Sequence, residues 1–170
     1  MDAETGDIMI GAVTFKDKLV KEVMTPIEKV HMVNIDDKLN FQTIARIFKS
    51  GFSRLPIYRD SKNRDIQGLL FTKDLIFIDP EDDTPVQQFL QVFGRTCINT
   101  HPEQKLGTLL KALKNGRSHM ALVQQVSTKD GANLPFQELV GVCTLEDVIE
   151  EIQMIIEGGA WVDWQDGRST

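Results

Sequence analysis

The sequence predicts an α+β protein made of two repeated β-α-β-β-α units packed about a pseudo-two-fold axis. Three observations predict it. The run from Lys49 to Tyr58, with Gly51, Ser53, Arg54 and Pro56, returns as Lys114 to Val123, with Gly116, Ser118, His119 and Ala121. A second pair follows, Gly68 to Asp74 and Gly141 to Asp147, each with an aspartate six positions after the glycine that opens an apolar helical stretch. Apolar periodicity then switches between strand and helix in the same order in both halves. A repeat of this size is a structural unit whose apolar face is completed by its copy.

In the first unit, Val30 to Ile35 reads as a strand bounded by Asp36 and Asp37. Phe41, Ile44, Ala45, Ile47 and Phe48 recur at helical spacing within a helix from Leu39 to Lys49. Gly51 is its expected stop, because a glycine accepts the left-handed conformation that ends many helices. Leu55 to Tyr58 is a short strand, and its Pro56 has to lie at a start or an unpaired edge. A polar turn from Asp60 to Arg64 leads to a strand over Asp65 to Phe71. A helix then starts at Thr72 or Lys73 and carries Leu75, Ile76 and Phe77.

The second unit repeats the order. Thr96 to Asn99 is the strand, Lys105 to Lys114 the helix, and Ser118 to Gln125 the next strand. A polar excursion over Val126 to Gln137 separates it from the strand Leu139 to Cys143. The closing helix runs from Thr144 to about Glu157, with Val148, Ile149, Ile152, Ile155 and Ile156 on one face. Gly51 and Gly68 lie 17 residues apart, whereas Gly116 and Gly141 lie 25 apart, so the second hairpin carries a longer loop. Residues 80–85, with five acids and prolines among six positions, form the linker. The expected division is therefore an N-terminal linker over 1–17, repeats over 18–85 and 86–157, and a tail over 158–170 that holds Trp161 and Trp164.

Composition excludes several classes. The 170 residues carry a net charge of −6, which argues against nucleic acid as a partner, since phosphate backbones are bound by an excess of Lys and Arg. No apolar run approaches the roughly 20 residues that span a bilayer. The N-terminus has acids where a secretory signal has bases. Cys97 and Cys143 are expected to be buried, reduced thiols in an intracellular protein. His31, His101 and His119 lie in unrelated contexts, and neither a metal-ligand cluster nor a phosphate-binding lysine loop is present. The chain is not expected to be an enzyme.

The candidate site joins Ser53, Arg54 and Pro56 of the first repeat to Thr144, Glu146 and Asp147 of the second. Read locally, Thr144 and Asp147 form a capping box for the last helix. Read with the helix end, they leave free N–H groups that favour an anion and a carboxylate suited to ribose hydroxyls. Arg54 adds charge-assisted bonds to phosphate. Aligned on the Gly-to-Asp element, Thr144 corresponds to Phe71 and Glu146 to Lys73. Aligned on the other element, Arg54 corresponds to His119 and Pro56 to Ala121. The cleft that uses Phe71 and Asp74 is thus expected to be poor or empty.

The doubled motifs resemble a tandem CBS-domain pair, or Bateman module. Four runs extend the likeness to the CNNM (cyclin M, CorC-like) magnesium transporters: Val20-Lys-Glu-Val-Met-Thr-Pro26, Ser50-Gly-Phe-Ser-Arg-Leu-Pro56, Lys73-Asp-Leu-Ile-Phe-Ile-Asp-Pro80 and Val142-Cys-Thr-Leu-Glu-Asp-Val-Ile-Glu-Glu-Ile152. The resemblance implies a regulatory module on the cytoplasmic face of a membrane. It implies ATP with Mg²⁺ in one of two clefts, a homodimer of modules, and coupling to the parent's transmembrane domain. By matching motif, Thr25, Phe52, Ser53, Arg54, Leu55 and Pro56 would line the adenine and phosphate end. Thr144 would bond phosphate or ribose, Asp147 the ribose hydroxyls, and Glu146 would lie near the phosphates, with Mg²⁺ held through the phosphates rather than by a protein cage. The resemblance also implies a regenerating-liver phosphatase docking on the long loop, here with Asp130, Leu134, Pro135 and Phe136. Leu134 stands where that family has the aspartate that enters the phosphatase, and a leucine cannot mimic a phosphate.

Overall fold

A computed structural model describes residues 15–60, 65–116, 118–128 and 134–157. Asp130, most of the expected N-terminal linker and the 158–170 tail lie outside the described residues. Helix α1 (Val20–Val23) and strand β1 (Thr25–Pro26) lead into β2 (Val33–Asn34), β3 (Lys38–Leu39), α2 (Phe41–Ser50), β4 (Arg54–Tyr58) and β5 (Ile66–Phe71). A 3-10 helix over Thr72–Phe77 follows. Strand β6 (Thr84–Pro85) and helix α3 (Val86–Phe93) then lead into β7 (Ile98–Thr100), α4 (Leu106–Asn115), β8 (Met120–Ser127), β9 (Phe136–Thr144) and α5 (Leu145–Ile156). The expected α+β repeat order is present.

Each repeat builds its own sheet, ordered β2-β4-β5 in the first and β1-β9-β8-β7 in the second. Within each, a parallel pair (β2 on β4, β7 on β8) adjoins an antiparallel hairpin (β4–β5, β8–β9). The segment that enters each repeat packs on the other one. Strand β1 pairs with β9, and Phe15 and Val20 are buried with Leu106, Leu113 and Val148. In the reverse direction, Arg95 bridges to Leu69 of β5, and Val86 and Phe89 are buried with Ile57 and Leu70. The same exchange recurs in the backbone, where Val20 N–H donates to Gln104 and Val86 N–H to Asp37, each at 2.9 Å. A third cluster, Leu69, Met120, Leu122, Leu139 and Val142, joins the two sheets. The repeats therefore share buried surface and do not form separate cores.

Four local expectations change. Residues 72–77 form a 3-10 helix instead of an α-helix. Pro80 forces the backbone before it to extend, so the run is too short to nucleate regular α turns. Helix α3 falls where no element was expected, although Val86, Phe89, Leu90 and Phe93 have helical spacing. The β8–β9 ladder continues through Val126↔Gln137 and Ser127↔Phe136, so the polar excursion is strand at both its ends and the loop between the strands is shorter than expected. Cys143 is buried as expected, but Cys97 is only half-buried, and both are free thiols.

Candidate functional site

The site forms where the exchanged strand crosses the second sheet. Thr25 on β1 lies opposite Val142 on β9, and Pro26 opposite Gly141. A Cβ on Gly141 would meet the Thr25 carbonyl oxygen at 2.5 Å, so only glycine lets β1 approach. Gly68 has the same task in the other repeat, with the Arg95 carbonyl 3.3 Å from a Cβ position. The glycines of the repeated Gly-to-Asp element are therefore crossing points.

Helix α2 positions the first-repeat residues. The Asn40 side chain accepts from Thr43 N–H at 3.0 Å at one end, and Gly51 ends the helix at φ 76°. The chain then turns so that Phe52, Ser53 and Arg54 reach the cleft before β4 enters the core. Gly116 ends α4 at φ −85°, which needs no special freedom; there a Cβ would meet the Ala112 carbonyl at 2.8 Å.

Helix α5 supplies the second-repeat residues. Its capping box is complete: Asp147 N–H donates to Thr144 Oγ1 at 3.1 Å, and Thr144 N–H donates to Asp147 Oδ2 at 3.0 Å. The cap fixes both side chains at the cleft floor. Asp147 Oδ1 makes no hydrogen bond among the described residues, and the Thr144 hydroxyl proton is free to donate. The local reading and the ligand reading of these two residues are thus compatible. Behind them, burial and then the Asp147 charge push the Cys143 thiol up to about 12.

The resulting cleft has a volume of about 210 Å³. It gathers Thr25, Phe52, Ser53, Arg54, Thr144, Glu146 and Asp147 of the expected set. Leu55 and Pro56 do not line it; both are buried, and Pro56 pairs with Leu69 inside the sheet. Met120 and Val142 complete the apolar wall. Neither was anticipated, because an isolated apolar residue in a strand carries no sign of which cavity it borders. At the mouth, Arg54 Nη1 stands 3.7 Å from Glu146 Oε1. Among the described residues, no group of His, Cys, Asp and Glu is arranged to hold a metal ion.

In the pseudo-equivalent cleft the protein supplies a partner for the carboxylate itself. Arg95, the counterpart of Thr25 at the strand crossing, donates through Nη2 to Asp74 Oδ2 at 3.2 Å and Oδ1 at 3.4 Å. Its guanidinium lies 4.7 Å from the centroid of Phe71, the counterpart of Thr144. The carboxylate that matches Asp147 is thereby consumed. Strand register also corrects one correspondence: Arg54 faces Phe71 while Met120 faces Thr144, so Arg54 matches Met120, and Pro56 matches Leu122. The second repeat holds one more residue between its glycine and its strand. His119 and Ala121 are consequently not the counterparts of Arg54 and Pro56.

The family model for the CBS domain matches residues 20–81. Metal transporter cnnm-1 of Caenorhabditis elegans is 37% identical over 145 residues, which cover 85% of this chain. This is a CBS-domain chain of the CNNM/CorC family. The CBS module spans only 18% of the length of the worm protein. In structure it resembles the CBS domain of the bacterial CNNM/CorC family Mg²⁺ transporter in complex with ATP, at TM-score 0.70 and 26% identity, with 88% of this chain and 97% of that one covered. A second structure of the CBS domain of the bacterial CNNM/CorC family Mg²⁺ transporter gives TM-score 0.71 and 26% identity over 89% of this chain and 85% of that one. A CBS-domain pair with bound AMP from Klebsiella pneumoniae shares the fold, at TM-score 0.57 and 22% identity over 79% of this chain and 98% of that one. No helix among the described residues is long and apolar enough to cross a membrane.

Proposed function

We propose that this CBS module is a regulatory, non-catalytic nucleotide-binding unit that takes Mg-ATP in the cleft between Arg54 and the capped start of α5. The observation that carries the reading is the inequality of the two clefts. One offers a hydroxyl, an available carboxylate oxygen and a guanidinium in an open space, while the other has its carboxylate paired with Arg95. Asp147 Oδ1 would accept from ribose hydroxyls, Thr144 and Thr25 would donate to the ligand, and Arg54 would meet phosphate. The bacterial relative's ATP complex supports the choice of ligand.

Mg²⁺ fits this residue set in one way. Glu146 is an exposed carboxylate beside the phosphate end, repulsive to a polyphosphate unless a cation intervenes. Mg²⁺ keeps several waters and binds through phosphates, so Glu146 would face it from outside its inner waters. The module would work as a homodimer on the cytoplasmic face of a membrane and bias the transmembrane domain of a magnesium-transporting parent. A ligand shifts such an equilibrium only by its differential affinity for the two arrangements.

Calorimetric titration with ATP, with and without Mg²⁺, tests the reading. One nucleotide per chain, lost in Asp147→Ala, is expected; absence of binding to the wild type, or unchanged binding in the variant, defeats it.

A second reading, docking of a regenerating-liver phosphatase, is favoured by one observation: Leu134 at the β8–β9 hairpin is 77% exposed, next to Pro135 and Phe136. A pull-down that compares wild type with a hairpin deletion decides it.

A further inference from the structure

The cleft of about 210 Å³ is too small to enclose a nucleoside triphosphate, since ligand sites generally measure about 300–1,000 Å³. A second cavity of about 250 Å³ adjoins it and shares Ser53 and Arg54 as lining; its other walls are Phe71, Thr72 and Lys73. Arg54 is the partition between the two. Its guanidinium reaches Glu146 on one side and lies 5.4 Å from the Phe71 centroid on the other. Sequence comparison had set Lys73 against Glu146 as a mark of the unused cleft, but the fold places it one cavity away from the used one.

We propose that this second cavity is the polyphosphate subsite of the nucleotide cleft, with Lys73 and Arg54 as the groups that distinguish a triphosphate from a monophosphate. The inference rests on the nucleotide reading above. Charge supports it. Lys73 is exposed and pairs with no carboxylate among the described residues, and its ammonium lies 5.7 Å from the Phe71 ring. The nearby carboxylate of Asp74 is held by Arg95 and does not neutralise it. Thr72 Oγ1 lies 3.4 Å from the Ser53 carbonyl oxygen, which ties the two walls of the cavity together. A nucleoside seated on Thr144 and Asp147 thus directs its phosphates past Arg54 toward Lys73. Arginine matches the phosphate nearest the sugar in planar fashion, and the flexible lysine stem suits a mobile terminal phosphate as a point charge.

The test is titration of the full chain with AMP, ADP and ATP, each with Mg²⁺, against wild type, Lys73→Ala and Lys73→Glu. Lys111→Ala, an exposed lysine on α4, controls for net charge. The expected result is that Lys73→Ala weakens ATP by about tenfold and leaves AMP within about twofold, as one charge-assisted contact requires. Lys73→Glu should weaken ATP further, and the Lys111 variant should change neither. An ATP-to-AMP affinity ratio that is the same in wild type and Lys73→Ala overturns the subsite while leaving the nucleotide reading intact. No nucleotide binding by the wild type overturns both.

Discussion

Arg54 and Glu146, contributed by opposite repeats, face each other across the mouth of the cleft with Nη1 and Oε1 3.7 Å apart. The separation exceeds a hydrogen bond, and the glutamate side chain is 57% exposed, so the pair adds little to folding. Its consequence is for binding. Glu146→Gln should raise ATP affinity in the absence of Mg²⁺ by several-fold and shrink the gain that Mg²⁺ confers. Arg54→Ala should weaken ATP by more than tenfold and change unfolding free energy by less than about 1 kcal/mol. Calorimetry and urea denaturation read the two effects separately.

Gly141→Ala drives a methyl group against the Thr25 carbonyl, where a Cβ would lie at 2.5 Å. Strand β1 must then lift from β9. Overpacking of this kind costs about 1–3 kcal/mol, and Thr25 leaves the cleft with its strand. Reduced thermal stability together with weakened ATP binding is the expected pair of results. Gly51→Ala is the contrast: no atom lies within 4 Å of its Cβ position, and the cost comes only from φ 76°, about 1–2 kcal/mol.

Asp74 is 6% exposed and its partner Arg95 is partly solvated. Arg95→Ala leaves a buried carboxylate without its cation. The loss would be about 3–5 kcal/mol for a fully buried pair, and the solvent around Arg95 reduces it to about 1–2 kcal/mol. Arg95→Ala combined with Asp74→Asn should recover part of that loss in chemical denaturation. A full additive loss in the double variant would show that the pair does not couple.

The Cys143 thiol titrates near 12 in the folded protein against an ordinary value of 9.0. Burial is the first cause and the Asp147 charge the second. The folded state holds this proton more tightly than the unfolded chain, so the contribution is complete below about pH 9. It declines as pH rises from there toward 12, where the unfolded chain has released the proton and the folded one has not. Unfolding free energy should fall across that window, and Cys143→Ala should flatten the fall. Native protein at pH 8 should also resist alkylation at Cys143.

Much of this was legible along the chain. Apolar spacing located α2, α4 and α5, short apolar runs located β4, β5 and β8, and Thr144 with Asp147 announced a helix start. Helix α3 was missed despite its spacing, because acids and prolines just before it read as a linker. Arg95 carried no signal. The segments around Thr25 and Arg95 share no motif in the sequence, and only the shared crossing over Gly68 and Gly141 sets the two residues in correspondence.

Element order, the capping box and the inequality of Phe71 and Thr144 depend on neighbours in the chain, and for that reason the linear order of residues was enough to determine them. The exchange of entry segments, the one-residue stagger that sets Arg54 against Met120, and the pairing of Arg95 with Asp74 in the second cleft depend on strands far apart in sequence. Those strands settle their register by burying side chains against each other. Packing also withdrew Leu55 and Pro56 into the core and brought Lys73 to the cavity beside Arg54, because only the folded sheet sets which face of a strand meets solvent.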